Sequence, residues 1–155
     1  MKRKTIKNTV EISGIGLHKG EKIKMVLRPV SQETGIIFKR LDVNDKNNVI
    51  KVAHENLFDL ERGTNIQNED GVRLHTIEHF MSALSVCGIT DIFVEIEGNE
   101  MPILDGSSIQ FVEKIENAGI LELDEEIEPV VIKEPVIFSD EKAGKYVMAL
   151  PYDGF

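Results

Sequence analysis

The chain has 155 residues, 41% of them hydrophobic, which is enough to bury a sizeable core and suggests one domain, or one domain plus part of another. Its 18 basic and 27 acidic residues leave a formal net charge of −9, which argues against nonspecific binding to nucleic acid or to anionic membrane. The start, Met1 to Asn8, is charged and has no apolar run after it, so neither a signal peptide nor a transmembrane span is expected and the reading is of a cytoplasmic protein. Cys87 is the single cysteine, so no disulfide framework is available, and its place at the end of an apolar stretch suits a packed thiol.

In chain order, Thr5 to Ser13 reads as a strand, and Glu21 to Arg28 alternates polar with apolar residues as a second strand does. Between them, Gly14-Ile15-Gly16-Leu17-His18-Lys19-Gly20 has glycines that resemble a nucleotide loop. The residues after Gly20 have strand period and not helix period, so the stretch is a glycine-rich hairpin connection with His18 at its tip. Gly35 to Arg40 and Asn48 to Val52 are further strands on either side of the polar turn Asp45 to Asn48. Thr64 to Gln67 and Val72 to Leu74 flank Asp70-Gly71, a hairpin signal that feeds into a helix spanning His75 to Val86.

That helix is the most informative stretch. Ile77, Phe80, Met81 and Leu84 fall at i, i+3, i+4 and i+7, the apolar stripe of an amphipathic helix. On such a helix His75 and His79 share one face, and Glu78 sits close enough to act on a water bound to the same metal. His-x-x-Glu-His also matches the inverted zinc-peptidase pattern, in which both histidines bind zinc and the glutamate is the general base. The bare pattern equally describes a solvated helix face.

Gly88 is placed to cap this helix, and Asp91 to Glu97 alternates as a half-buried strand. Pro102 to Ser107 is a loop, Ser107-Ser108-Ile109-Gln110 has the form of a capping box, and a second helix runs to about Ala118 before Gly119. The acidic run Asp124 to Pro129 reads as a linker. Val130 to Ile132, Val136 to Phe138 and Lys145 to Leu150 then read as strands of a second sheet that is cut short. This divides the chain into a first α+β domain, 1–124, and a linker with the first strands of a second domain, 125–155.

Three segments, Gly14 to Gly20, Thr76 to Leu84 and Glu100-Met101-Pro102-Ile103-Leu104-Asp105-Gly106-Ser107, occur in an order and spacing that resembles the UDP-3-O-acyl-N-acetylglucosamine deacetylases, zinc amidases of lipid A biosynthesis. Lys133-Glu134-Pro135-Val136 and Pro151 to Phe155 extend the resemblance over essentially the whole chain. It implies two similar α+β domains, each a two-layer arrangement of sheet against helices, with the active site between them. It also implies that Glu78 is the general base, that His79 is a zinc ligand and that His75 is not one. The remaining ligands, a histidine and an aspartate, and a general-acid histidine belong to the family's second domain. None can be matched to His18, His54 or His75, so the resemblance implies a half-site that binds zinc weakly and does not turn over.

The same resemblance implies that Glu78 takes a proton from water attacking the acetamide, with zinc or iron as the metal such ligands accept. It places His18 near the active site in a supporting role, Thr64 on a segment approaching it, and Lys145 at a position associated with the nucleotide diphosphate. Asp105 either orients part of the site or serves as a plain turn residue. The implied partner is a UDP-linked acylated N-acetylglucosamine, completed by the second domain. Two other readings stand beside this one: a free-standing zinc peptidase using His75, Glu78 and His79, and a non-catalytic α+β interaction domain.

Overall fold

A computed structural model describes residues 1–45 and 47–153; Lys46 of the expected 45–48 turn, and Gly154 and Phe155 of the closing motif, lie outside the described residues. The chain opens with two strands, β1 (Lys2–Ile6) and β2 (Val10–Ile15), where local pattern suggested one from Thr5 to Ser13. The break falls where the Lys7 backbone N–H donates to the Gly119 carbonyl at 2.8 Å and the Asn8 amide donates to the Ala118 carbonyl at 2.9 Å. Those partners are more than a hundred residues away in the chain, so no local signal marks the turn.

β3 (Lys22–Arg28), β4 (Ile36–Arg40) and β5 (Val49–Lys51) follow as expected, the first joined to β2 by the glycine-rich connection. A turn of 3-10 helix at His54–Asn56 leads to the short hairpin of β6 (Ile66–Gln67) and β7 (Arg73–Leu74), and then to helix α1 (Glu78–Val86). After α1 come β8 (Ile92–Glu97), helix α2 (Ile109–Ala118) and β9 (Ile120–Glu126). The main sheet runs β2-β3-β8-β4-β5, antiparallel except between β4 and β8.

Register explains why this sheet has one wet face and one dry face. Ile12 lies opposite Met25, Met25 opposite Ile96, Leu27 opposite Val94 and Phe38 beside Val94. All of these side chains are buried. Because side chains alternate along each strand, matching the apolar members across neighbours gives a continuous apolar layer. The two helices supply the other layer, with Phe80, Ala83 and Leu84 from α1 and Phe111, Ile115 and Ala118 from α2 in the same core. Phe38, Phe80 and Phe111 meet edge to face, with ring centres 6.1 and 5.5 Å apart. The protein is therefore an α+β fold with a sheet packed on two helices.

Helix α1 begins at Glu78, three residues later than the periodicity suggested. Thr76 has φ +60°, a left-handed conformation in which a helix cannot continue, and its N–H donates to the Asn65 side-chain oxygen at 3.1 Å. His75 is extended: its N–H donates to the Asn99 carbonyl, and its own carbonyl accepts from Met101. His75 and His79 therefore do not share a helix face, and the geometric premise of the zinc-peptidase reading fails. The other end behaves as expected. Gly88, at φ +67°, donates to the Ser85 carbonyl and Ile89 to that of Leu84, the paired bonds of a Schellman cap.

At α2 the capping box expected between Ser107 and Gln110 does not form: the N-cap is Ser108, which makes no side-chain cap bond, and the Gln110 side chain bonds to Asp105. Asp105 accepts instead from the Ser107 N–H and hydroxyl, both at 2.9 Å, and the Ser107 oxygen accepts from the Ile109 N–H. The residues read as the start of an acidic linker, Asp124 to Glu126, belong to β9, which pairs antiparallel with β1. Lys2 lies opposite Glu126 and Lys4 opposite Glu122, so a basic strand meets an acidic one.

Two compact units result, Lys2–Glu126 on one hand and Met1 with Ile127–Phe155 on the other. The second contains an antiparallel hairpin, β10 (Val136–Asp140) with β11 (Lys145–Ala149), in which only Ala149 is even partly covered. Val130 to Ile132, expected as a strand, is not one. Among the described residues no helix is long and apolar enough to cross a membrane.

Candidate active site

The late start of α1 puts Glu78 at the first turn of the helix, where a carboxylate is favoured by the unpaired N–H groups and the positive end of the helix dipole. Its Oε2 accepts the Thr64 backbone N–H at 2.9 Å, and the Thr64 carbonyl accepts from Ile77 at 3.0 Å. Thr64 is thus brought to Glu78 through its backbone. Gly63 lies behind the carboxylate, where an added Cβ would stand 3.6 Å from Oε1. His79, next along the helix, is half-buried, and its imidazole has no hydrogen-bond partner among the described residues.

Residues 63 and 64 also divide two cavities. On the Gly63 side lies a polar cavity of about 270 Å³ that takes in His18, Lys19, Arg62, His75 and Glu100. On the Thr64 side is an apolar groove of about 550 Å³ walled by Val52, Leu57, Ile77 and Met81, with Glu78 on its rim.

Glu100 organises the polar side, a role that neither its spacing nor the family resemblance assigned to it. Its carboxylate is 4% exposed and takes the His18 Nδ1 at 2.6 Å, the His18 backbone N–H at 3.1 Å and the Thr76 hydroxyl at 3.3 Å. Burial alone would raise the Glu100 carboxyl, but these donors hold it below the usual range. Thr76 in turn connects to Asn65, just before β6, and Asn65 donates to the Asp59 carbonyl at 2.6 Å. The bridge between His75 and Glu100 closes the same knot. Burial pushes the His75 imidazole down, helped by Arg73, Lys19 and His18, and outweighs the opposing pull of Glu100. The His75 ring packs edge-on against Phe58.

Of the remaining expected residues, Asp105 takes no part in the bonds of this knot and Lys145 belongs to the other unit. Asp105 is exposed and committed to the turn that starts α2, where its bonds from Ser107 lower its pKa. Lys145 is exposed in β11, in the second unit. Among the described residues no three His, Cys, Asp or Glu side chains gather as a metal cluster. The His79 imidazole, free of hydrogen-bond partners among the described residues, is a donor type that fits zinc and would be one of the roughly three protein ligands a catalytic site uses.

The sequence profile of the UDP-3-O-acyl N-acetylglycosamine deacetylases matches residues 3–155. The chain belongs to that family. UDP-3-O-acyl-N-acetylglucosamine deacetylase of Pseudoalteromonas atlantica is 40% identical over 155 residues, covering all of this chain and 50% of the relative. The proteins of the same name from Nitrosococcus oceani and Neisseria meningitidis serogroup B are 37% and 36% identical, again over all of this chain and 50% of theirs. The chain spans about half the length of the curated relatives it matches.

Proposed function

We propose that this chain forms the first half of a zinc-dependent deacetylase that removes the N-acetyl group from a UDP-linked 3-O-acyl-N-acetylglucosamine in lipid A synthesis. The observation that carries this reading is the Glu78-His79 pair at the start of α1, in a chain belonging to the deacetylase family. His79 holds the metal, together with ligands from a second domain. The bound metal supplies an electrophile for the acetamide carbonyl and acidifies water; iron is an alternative occupant.

Glu78 acts as general base. Its Oε2 is fixed by the Thr64 N–H, which leaves Oε1 to take a proton from the attacking water. The bond from Thr64 sets the direction of the carboxylate before substrate arrives, so little ordering remains for the reaction itself. The apolar groove beside Glu78 suits the acyl chain of such a substrate, and the polar cavity on the other side of Gly63, lined by Lys19 and Arg62 together with Asp59, Glu61 and Glu100, suits its polar sugar portion. Lys145 contributes a point charge for the diphosphate, and Asp105 supports the site indirectly by fixing the loop before α2. The chain alone holds one ligand, so it binds zinc weakly and does not turn over.

The test uses the two-domain enzyme carrying this half. Zinc stoichiometry near one per chain and release of acetate from the UDP-sugar, with zinc lost in His79→Ala, are expected. In Glu78→Gln zinc is kept and turnover falls about 10²–10⁴-fold. Zinc and turnover unaffected by His79→Ala would overturn the reading.

A further inference from the structure

Glu100 lies 22 residues beyond Glu78 and opens the third segment of the family resemblance, which gave it no role. Its environment is unusual for a loop carboxylate. It is buried, yet the side chain of its principal donor, His18, is 62% exposed. Two bonds from one residue, through the His18 backbone N–H and Nδ1, fix both the loop and the ring. Gly16 makes room for this, since a Cβ there would stand 2.5 Å from Glu100 Oε2. The third donor, the Thr76 hydroxyl, belongs to the left-handed residue that sets where α1 begins, two residues before Glu78.

An ionised carboxylate only accepts hydrogen bonds, so the proton between the two groups sits on His18 Nδ1. The neutral ring is then held as the Nδ1–H tautomer, and Nε2, on the far side of the imidazole, has no partner among the described residues. We propose that Glu100 is a positioning residue of the active site, which presents His18 Nε2 to the substrate and ties the His18 loop to the start of the helix that carries Glu78. The proposal rests on the deacetylase reading for its kinetics, though not for its geometry. Carboxylates that orient a metal-ligating imidazole through its other nitrogen typically matter about 10–100-fold, and an effect of the same order is expected for His18.

The experiment has two arms. In the first, the ¹⁵N shifts of the His18 imidazole are measured in this chain, unsubstituted, at a pH where the ring is neutral. The Nδ1–H tautomer is expected, whereas the Nε2–H tautomer, which free histidine favours, would overturn the proposal. In the second, kcat/KM of the two-domain enzyme is measured for Glu100→Gln, His18→Ala and the double variant. Glu100→Gln lowers it about 10–100-fold, and most of that loss vanishes when His18 is already alanine. Effects that multiply, or an unchanged kcat/KM in Glu100→Gln, would overturn it. Absence of turnover in the unsubstituted enzyme would instead overturn the deacetylase reading, and the tautomer would still decide the role of Glu100.

Discussion

Two buried carboxylates, Asp91 and Glu100, look alike by burial and differ in what they hold. Asp91 is 0% exposed and receives Arg3 through Nε and a terminal nitrogen at 2.9 and 3.0 Å, the N–H groups of Thr34 and Gly35 at 2.8 Å each, and the Thr90 hydroxyl at 2.6 Å. Its charged partner, Arg3, is itself buried. Glu100 is nearly as well covered, but its charged or polar partner faces outward. A carboxylate whose charged partner is buried locks strands together. One whose donor faces solvent transmits the rigidity of the core to a surface group, which is what a binding site needs.

The comparison is tested most severely at Asp91. Replacing it with alanine leaves the buried Arg3 guanidinium with only the exposed Glu33, 3.2 Å away, as an ion-pair partner among the described residues, and a loss of about 3–5 kcal/mol is expected in urea unfolding of the chain. A loss below about 1 kcal/mol would mean that the Asp91 corner does not lock the strands.

Acid titration of stability comes next in size. Burial would raise the Asp91 carboxyl, but Arg3, Thr90 and the two backbone N–H groups hold it at about 2, against about 3.9 in an unfolded chain. Because the folded value is the lower one, its contribution is fully present above pH 4 and is lost as pH falls towards 2. Across that window the unsubstituted chain should lose about 2–3 kcal/mol that Asp91→Asn does not lose, as measured by unfolding at several pH values. Parallel pH curves for the two proteins would remove the distinction.

Gly16→Ala probes the other carboxylate. The new Cβ would displace Glu100 from its bonds, and a cost of about 1–3 kcal/mol is expected in thermal or urea unfolding, with the His18 resonances shifted. An unperturbed His18 would show that the loop does not depend on the close approach. The smallest effect belongs to His18→Ala, which removes an exposed ring and should change stability by less than about 1 kcal/mol. A larger loss would make His18 part of the scaffold and erase the contrast with Arg3.

Much of the fold was legible because alternation and helical periodicity are local. The burial of Ile23, Met25 and Leu27 in β3, the stripe Ile77, Phe80 and Leu84, and the stop at Gly88 all follow from residue order. Glu78, His79 and Thr64 could be named from the sequence through the family resemblance, and the structure puts Glu78 in the first turn of α1 with the Thr64 N–H on its carboxylate. His75 was misplaced because Ile77 fits the helical stripe whether or not the helix has begun, and the left-handed turn at Thr76 depends on Asn65 from another segment. β9 was missed for a related reason: a run of acidic residues signals solvation until a basic strand is laid beside it.

The sequence alone determined the α+β class, the positions of most strands and both helices, and the family with its Glu78-His79 pair, because each of these depends on the order of nearby residues. Tertiary structure decided where the first strand breaks, that β9 pairs with β1, where α1 begins, and that Glu100 grips His18. Each of these joins groups distant in the chain. Their bonds exist only after the core has brought the segments together, so no local pattern could carry them.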